Sequence, residues 1–207
     1  MPEPFDPPRR YPDLEPIRLR DPLAEVLGVV DPDEPVEFRY ADLVRAAGHS
    51  CPTTAGTLQI AEFGLAALYP EALPVRGDVS VHIGGPVDET AFGVTGRLLS
   101  LVTGAAGDDG FGGLPGGFGR RRGLLRYEAL DGPGVQVRFS RTDDDAAVQV
   151  TYDVEAVPGL GEAKDLLPDV VDGNADEEAV ADFRDAWHRR VDAVLESKDY
   201  FSVERLG

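Results

Sequence analysis

Cysteine, lysine, histidine and tryptophan are the scarce residues of this 207-residue chain. A single cysteine excludes an internal disulfide and any zinc ribbon built from cysteines alone. Long apolar runs are also missing, and none approaches the roughly 20 residues that a membrane-spanning helix needs. The first ten residues are rich in proline and charge and lack the apolar segment of a signal peptide. We therefore expect a cytoplasmic protein.

Positive charge is scarce as well. The chain has 20 Lys and Arg against 38 Asp and Glu, which gives a net charge of −18 at pH 7. Only Lys164 and Lys198 are lysines, so arginine supplies almost all of the basic side chains. Nucleic acids and anionic membranes attract proteins through basic surfaces. The composition therefore predicts neither a nucleic-acid partner nor a membrane partner.

Several catalytic signatures are absent from the sequence. It has no G-x-x-x-x-G-K-[ST] phosphate loop, no G-x-S-x-G nucleophile elbow, no H-E-x-x-H zinc-protease motif and no C-x-x-C pair. Because these motifs are absent, the sequence does not match the commonest classes of nucleotide hydrolases, serine hydrolases and zinc enzymes. The sequence leaves open whether the protein is an enzyme, and catalytic residues stay unknown.

The first half of the chain predicts a proline-rich extended arm followed by alternating helices and strands. Residues 1–20 form the arm, and residues 21–207 form a single domain whose core spans about 40–155. A short helix after Asp21-Pro22 should bury Leu23, Val26 and Leu27. The further elements expected are a strand at 36–40, helices at 41–47 and 52–69, a strand at 78–84 and a helix that starts near 88–90 and stops at Gly104.

The second half of the chain predicts three strands and a final helix. Strand patterns occupy 123–130, 134–142 and 146–154, with hairpin turns expected at 131–132 and 143–145. A helical segment at about 174–198 follows. The predicted fold class is α+β, with a helix-strand-helix-three-strand core, a mixed or mainly antiparallel sheet and a C-terminal helix.

The segment Gly48-His49-Ser50-Cys51-Pro52 carries the strongest chemical signal. Proline favours the first position of a helix, so Cys51 should lie at a helix start, where free backbone N–H groups stabilise a thiolate. A thiolate and an imidazole one residue apart form either a nucleophile–base pair or half of a soft metal site. A buried free cysteine beside a hydrogen-bonded histidine is the plain structural alternative.

Two further residues are candidate ligands of the same site. His82 lies on the polar face of the predicted strand at 78–84, so it is either a partly exposed strand residue or a metal ligand. Asp88 should cap the helix that follows, and a capping carboxylate can also face a metal.

A loop rich in glycine, at 104–119, precedes three consecutive arginines. Backbone N–H groups of such a loop can bind anions, although this one follows a helix and carries aspartates in place of lysine. Gly107, Gly110 and Arg120 are the candidate residues of an anion or ligand loop. A lid or a subunit-contact loop is the alternative.

These motifs together resemble the FmdE family, which takes its name from a component of formylmethanofuran dehydrogenase. Residues 46–52 (AAGHSCP) are similar to the G-H-x-C-P signature of that family, Val87-Asp88 to its V-D pair, and 103–111 (TGAAGDDGF) to its glycine-rich stretch. The similarity covers about residues 40–155. Pro86 and Ala105 replace cysteines of the family, and the zinc ribbon found at the C-terminus of many members is absent.

The resemblance implies an α+β domain that pairs as a homodimer and holds a divalent metal, commonly zinc. His49 and Cys51 correspond to the metal-binding residues of the signature, and Asp88 to a motif residue. Our hypothesis is that His82, Asp88 or a water completes the shell. An open zinc site of this kind would bind or transform a small molecule. A metal-free Cys/His enzyme and a non-catalytic accessory subunit of a redox enzyme are the two alternatives.

Overall fold

The computed structural model describes residues 11–206, which form seven strands and six α-helices. The first half of the chain contains β1 (Ile17–Leu19), α1 (Pro22–Val26), β2 (Val36–Phe38), α2 (Tyr40–Ala47), α3 (Pro52–Leu68), β3 (Val79–Ile83) and α4 (Thr90–Thr103). The second half contains β4 (Leu125–Tyr127), β5 (Val135–Arg141), β6 (Ala147–Tyr152), α5 (Leu160–Val171), α6 (Glu177–Glu196) and β7 (Phe201–Leu206). The predicted α+β class with a mixed sheet is confirmed.

The main sheet has five strands in the order β4-β3-β5-β6-β7. Only β4 runs parallel to its neighbour, pairing with β3, whereas the other strand pairs are antiparallel. The hairpin predicted between β4 and β5 at 131–132 is therefore wrong. Because β3 pairs with β4 on one side and β5 on the other, it keeps these two strands apart. The hairpin predicted at 143–145 does join β5 to β6.

Helix α3 is the centre of the hydrophobic core. Twelve of its 17 residues are buried, and it packs against the strands β5 and β6 and against the helices α4 and α6. The rings of Tyr152 and Phe139 lie directly against Gly56 and Gly64 of the helix. The apolar residues of β3 face this helix layer, which leaves alternate strand positions on the opposite face of the sheet.

The first described residues join the same core. Ile17 and Leu19 are buried in β1, which pairs with β2, so the end of the predicted arm contributes a strand to the domain. The rest of the predicted arm, residues 1–10, lies outside the described residues. The burial predicted for α1 is wrong: Val26 and Leu27 are exposed, because this five-residue helix touches the domain mainly through its N-terminal residues.

A buried ion-pair cluster centred on Asp21 ties three distant segments together. Its carboxylate accepts hydrogen bonds from Arg76 Nη1 at 2.8 Å and from Arg121 Nη2 at 2.7 Å. Arg76 also donates to the carbonyls of Leu101 and Val102 at the end of α4. Asp21 thus joins the start of α1, the segment before β3 and the arginine run that follows the glycine-rich loop.

Candidate metal-binding segment and glycine-rich loop

The Gly48–Pro52 segment connects α2 to α3 by a sharp change of direction. Gly48 ends α2 with φ of 77°, a left-handed conformation that side chains disfavour. Cys51 is extended, at φ −153° and ψ 169°, and is the N-cap of α3, with Pro52 as the first helical residue. The helix start predicted at Pro52 is therefore present, and Cys51 lies at the positive end of a 17-residue helix.

The thiol of Cys51 is buried, with 9% of the residue exposed. The backbone N–H of Thr54 donates to Sγ at 3.4 Å, and the Thr54 hydroxyl lies 3.3 Å from the same sulfur. This is the arrangement of a helix N-cap, with sulfur in the place usually taken by a serine or aspartate oxygen. The sulfur therefore has two hydrogen-bonding groups directed at it.

The imidazole of His49 is exposed to solvent. Its Nδ1 lies 3.1 Å from the carbonyl oxygen of Ala47, and because a carbonyl only accepts, Nδ1 must carry the proton. In the uncharged tautomer that this hydrogen bond selects, Nε2 is the nitrogen with the lone pair. A backbone carbonyl that orients the ring in this way is a common feature of metal-binding histidines. His49 also lines a cavity of 320 Å³ beside Arg97 and Leu98 of α4.

Three aromatic side chains from other elements hold this segment in place. The hydroxyl of Tyr40 lies 2.9 Å from Ser50 Oγ, and the indole of Trp187 on α6 donates to the Ser50 carbonyl at 2.9 Å. Tyr152 on β6 donates to the Pro52 carbonyl at 3.2 Å. These anchors were not predicted, because no local pattern in the sequence reveals which distant side chains reach this segment.

The two anchoring tyrosines remain neutral phenols. Burial raises the pKa of Tyr40 well above its ordinary value, although the hydrogen bond with Ser50 opposes the shift. Burial likewise raises the pKa of Tyr152, against an opposing effect of the Arg190 charge. Both hydroxyls therefore keep their protons throughout the physiological range, and Tyr152 can donate to its carbonyl acceptor at any such pH.

His82 lies on the face of the sheet opposite α3, so the structure does not bring it together with Cys51. Adjacent residues of a strand point to opposite faces, and the apolar neighbours Val81 and Ile83 face the helix layer. Only 6% of His82 is exposed, less than a partly exposed strand residue would show. His82 is buried because β3 is a central strand, in which His82 lies between Arg126 of β4 and Arg138 of β5.

The surroundings of His82 favour the neutral form of its imidazole. Its Nε2 donates to the Glu128 carbonyl at 3.0 Å, and its buried Nδ1 has no hydrogen-bond partner among the described residues. Burial, together with the charges of Arg126 and Arg138, lowers the pKa of His82, and this outweighs the opposing effects of the Glu128 carbonyl and carboxylate. The Glu128 carboxylate 3.8 Å from Nε2 is therefore a neighbour of a neutral ring, not half of an ion pair.

Asp88 is exposed and is not the N-cap of α4, contrary to the prediction. The helix begins at Thr90, Glu89 is its N-cap, and no side chain caps it. The backbone N–H of Glu89 bonds to the Pro86 carbonyl at 3.2 Å, and this turn moves the helix start one residue along the chain.

The glycine-rich loop is closed by its own backbone hydrogen bonds. Gly107 accepts from the N–H groups of Gly110 and Gly123, each at 3.1 Å, and Phe111 accepts from Arg121 and Arg122. Gly110 packs directly on the Arg122 backbone, where a Cβ atom would not fit. Gly107 and Gly110 therefore shape the loop, whereas Arg120 lines a cavity beside it.

Within residues 11–206, no group of three or more His, Cys, Asp or Glu side chains is arranged to hold a metal ion. In the same part of the chain, no helix combines the length and apolar character needed to cross a bilayer. Comparison with models of known protein families gave no match for this sequence, and neither did comparison with curated proteins.

Proposed function

We propose that this protein is an FmdE-like metal-binding protein in which His49 and Cys51 are two ligands of one divalent ion, most suitably zinc. The observation that carries the proposal is the hydrogen bonding of the two donors. Sγ of Cys51 accepts a helix N-terminal N–H, and the carbonyl bound to His49 Nδ1 leaves Nε2 as an acceptor. A thiolate sulfur and an imidazole nitrogen are ligands that zinc prefers.

A cysteine sulfur and a histidine nitrogen are suitable zinc ligands, but they fill only two positions of its tetrahedral coordination shell. Since the described residues offer no third ligand grouped with them, water, a small-molecule ligand or a second copy of the chain must supply the remaining positions. A metal held in this way would act as a Lewis acid on a small ligand in its open position. The hydrogen bonds that fix Ser50 and Pro52 would keep the two donors in place.

The proposal includes a homodimer and a cytoplasmic location. A second copy is the simplest source of the additional ligands that residues 11–206 of one protomer do not group with His49 and Cys51. A reducing compartment would keep the single thiol of Cys51 available for metal binding.

Metal analysis of three variants tests this function. The variants Cys51→Ser and His49→Ala should each lower bound zinc to less than half of the wild-type stoichiometry after dialysis. Serine is a good N-cap, so Cys51→Ser should keep the circular dichroism spectrum of the folded protein. His188→Gln, on α6, serves as the matched histidine control and should keep full stoichiometry.

Cobalt substitution identifies the ligand directly, because a thiolate ligand produces a sulfur-to-cobalt charge-transfer band. The wild-type protein should show the band, and folded Cys51→Ser should not. Full metal retention in both Cys51→Ser and His49→Ala would place the metal elsewhere and overturn the proposal. Sedimentation then compares the oligomeric state of the zinc-loaded and zinc-free proteins. A dimer that depends on zinc indicates a site shared between two protomers, and an unchanged oligomeric state indicates a site within one protomer.

A further inference from the structure

A second cavity lies beside the glycine-rich loop and has a volume of 650 Å³. Its walls come from the start of α1, the Arg76–Asp78 turn before β3, the end of the glycine-rich loop at 117–119, and Arg120 and 122–124 just after that loop. This volume is in the range of about 300–1,000 Å³ that small-molecule sites occupy. Neither His49 nor Cys51 lines it, so a ligand bound here is independent of the metal proposed above.

Three arginines line this cavity: Arg76, Arg120 and Arg122. Arg76 is held by the Asp21 carboxylate, by two carbonyls at the end of α4, and by the Phe38 ring 5.5 Å from its guanidinium carbon. Arg76 is therefore fixed in place, and its charge is paired with that of Asp21. Arg120 and Arg122 form no ion pair with any carboxylate in the described part of the chain, and Arg120 Nε donates to the Arg122 carbonyl at 3.0 Å.

The cavity is cationic although the chain carries a net charge of −18. The one acidic residue among its described walls is Asp78. Burial raises the pKa of Asp78, and the nearby Asp143 raises it further, so the negative charge of Asp78 is less favourable than that of an exposed carboxylate. Asp143 itself is paired with Arg141 at 2.5 Å, which leaves it unavailable to Arg120 and Arg122.

We infer that this cavity binds a small molecule that carries a phosphate or diphosphate group. A guanidinium matches the geometry of phosphate oxygens. Arg120 and Arg122, the two cavity arginines with no carboxylate partner in the described part of the chain, together carry more positive charge than the Asp78 carboxylate carries negative charge. The glycines at 117, 119 and 123 allow a ligand to approach the loop backbone closely. Leu23, Phe118 and Leu124 provide apolar surface for the remainder of the molecule.

Calorimetric titration of the full-length protein with pyrophosphate tests this inference, with benzoate as the probe for carboxylate binding. Arg122→Gln and Arg120→Gln should each weaken pyrophosphate binding at least tenfold. Arg184→Gln changes an exposed arginine of α6 outside the cavity and should leave the affinity unchanged. Circular dichroism of each variant verifies that it is folded.

The affinity of the wild-type protein for pyrophosphate should fall as sodium chloride is raised, because the arginines are solvent-accessible. Three results would each overturn the inference. They are no detectable pyrophosphate binding by the wild-type protein, equal losses in Arg184→Gln and the two cavity variants, and tighter binding of benzoate than of pyrophosphate.

Discussion

Asp21 shows how one buried carboxylate organises its surroundings at the scale of a residue. Only 3% of the residue is exposed, yet it remains ionised. Burial opposes its charge, but the hydrogen bonds from Arg76 and from the Ala24 N–H and the charges of Arg121 and Arg76 outweigh burial and lower the pKa of Asp21. Removing this carboxylate would leave Arg121, itself 7% exposed, without its partner.

The variant Asp21→Asn should lower the free energy of unfolding at pH 7 by about 3 kcal/mol, because it breaks a buried ion pair from one side. The folded-state pKa of Asp21 lies below the unfolded value of about 3.9, so its contribution is complete above that pH. It is lost as the pH falls through the folded-state pKa. In urea unfolding at several pH values, the difference in free energy of unfolding between the wild-type protein and the variant should therefore decrease below about pH 4.

Glu37→Gln is the matched control for this prediction. Glu37 pairs with Arg18 at 2.9 Å on the surface, where both side chains are accessible to water. Exposed ion pairs contribute little to stability, so this variant should unfold almost as the wild-type protein does. A deficit of Asp21→Asn that stays constant down to pH 2 would contradict the role given to its charge.

Among the elements of the fold, α3 is the helix that is predicted best from the sequence. Its apolar residues are spread around the whole helix, as expected of a helix packed on several sides, and its start at Pro52 follows from proline chemistry. By contrast, α5 was not predicted, because it is mainly exposed and contains Pro168. The strand β7 was missed too, since four of its six residues are exposed and carry no clear alternation.

Gly64→Ala should destabilise the protein by about 1–2 kcal/mol. Replacing glycine by alanine inside a helix stabilises the helix by up to about 1 kcal/mol. A methyl group here, however, would overlap the fully buried Phe139 ring, and such overpacking costs about 1–3 kcal/mol. Gly161→Ala, in α5, meets no atom within 4 Å and should stabilise the protein by about 0.5 kcal/mol. Thermal unfolding of both variants shows whether each substitution stabilises or destabilises the protein. A higher melting temperature for Gly64→Ala would contradict the close packing of Gly64 on the Phe139 ring.

For the whole molecule, sequence reasoning predicted the fold class and the helix start at the His49–Cys51 segment, since both follow from local patterns. It could not predict contacts between distant residues. The hydrogen bond from Trp187 to Ser50 spans 137 positions, and the ion pair from Arg121 to Asp21 spans 100. The parallel pairing of β4 with β3 was missed for the same reason: three residues carry too little pattern to specify a partner.

The net charge of −18 predicts that salt stabilises the folded protein. Repulsion among acidic groups disfavours a compact chain, and salt screens it over a Debye length of about 10 Å at 0.1 M. Raising sodium chloride from about 0.05 to 1 M should raise the melting temperature by about 3 °C, equivalent to roughly 1 kcal/mol at this length. Sucrose of equal osmolality is the control for solvent exclusion. A lower melting temperature in salt would mean that specific ion pairs dominate over the overall repulsion.

The place of β7 in the sheet has a consequence for how the chain folds. Helices α5 and α6 lie between β6 and β7 in the chain, so the outer partner of β6 is separated from it by about fifty residues, and β6 has an open edge until β7 pairs with it. During that interval its open edge belongs to a strand containing Val148, Val150 and Tyr152, and an apolar edge of this kind readily pairs with other chains. A folding intermediate in which β7 has not yet paired would therefore be the form of the protein most exposed to aggregation through the β6 edge.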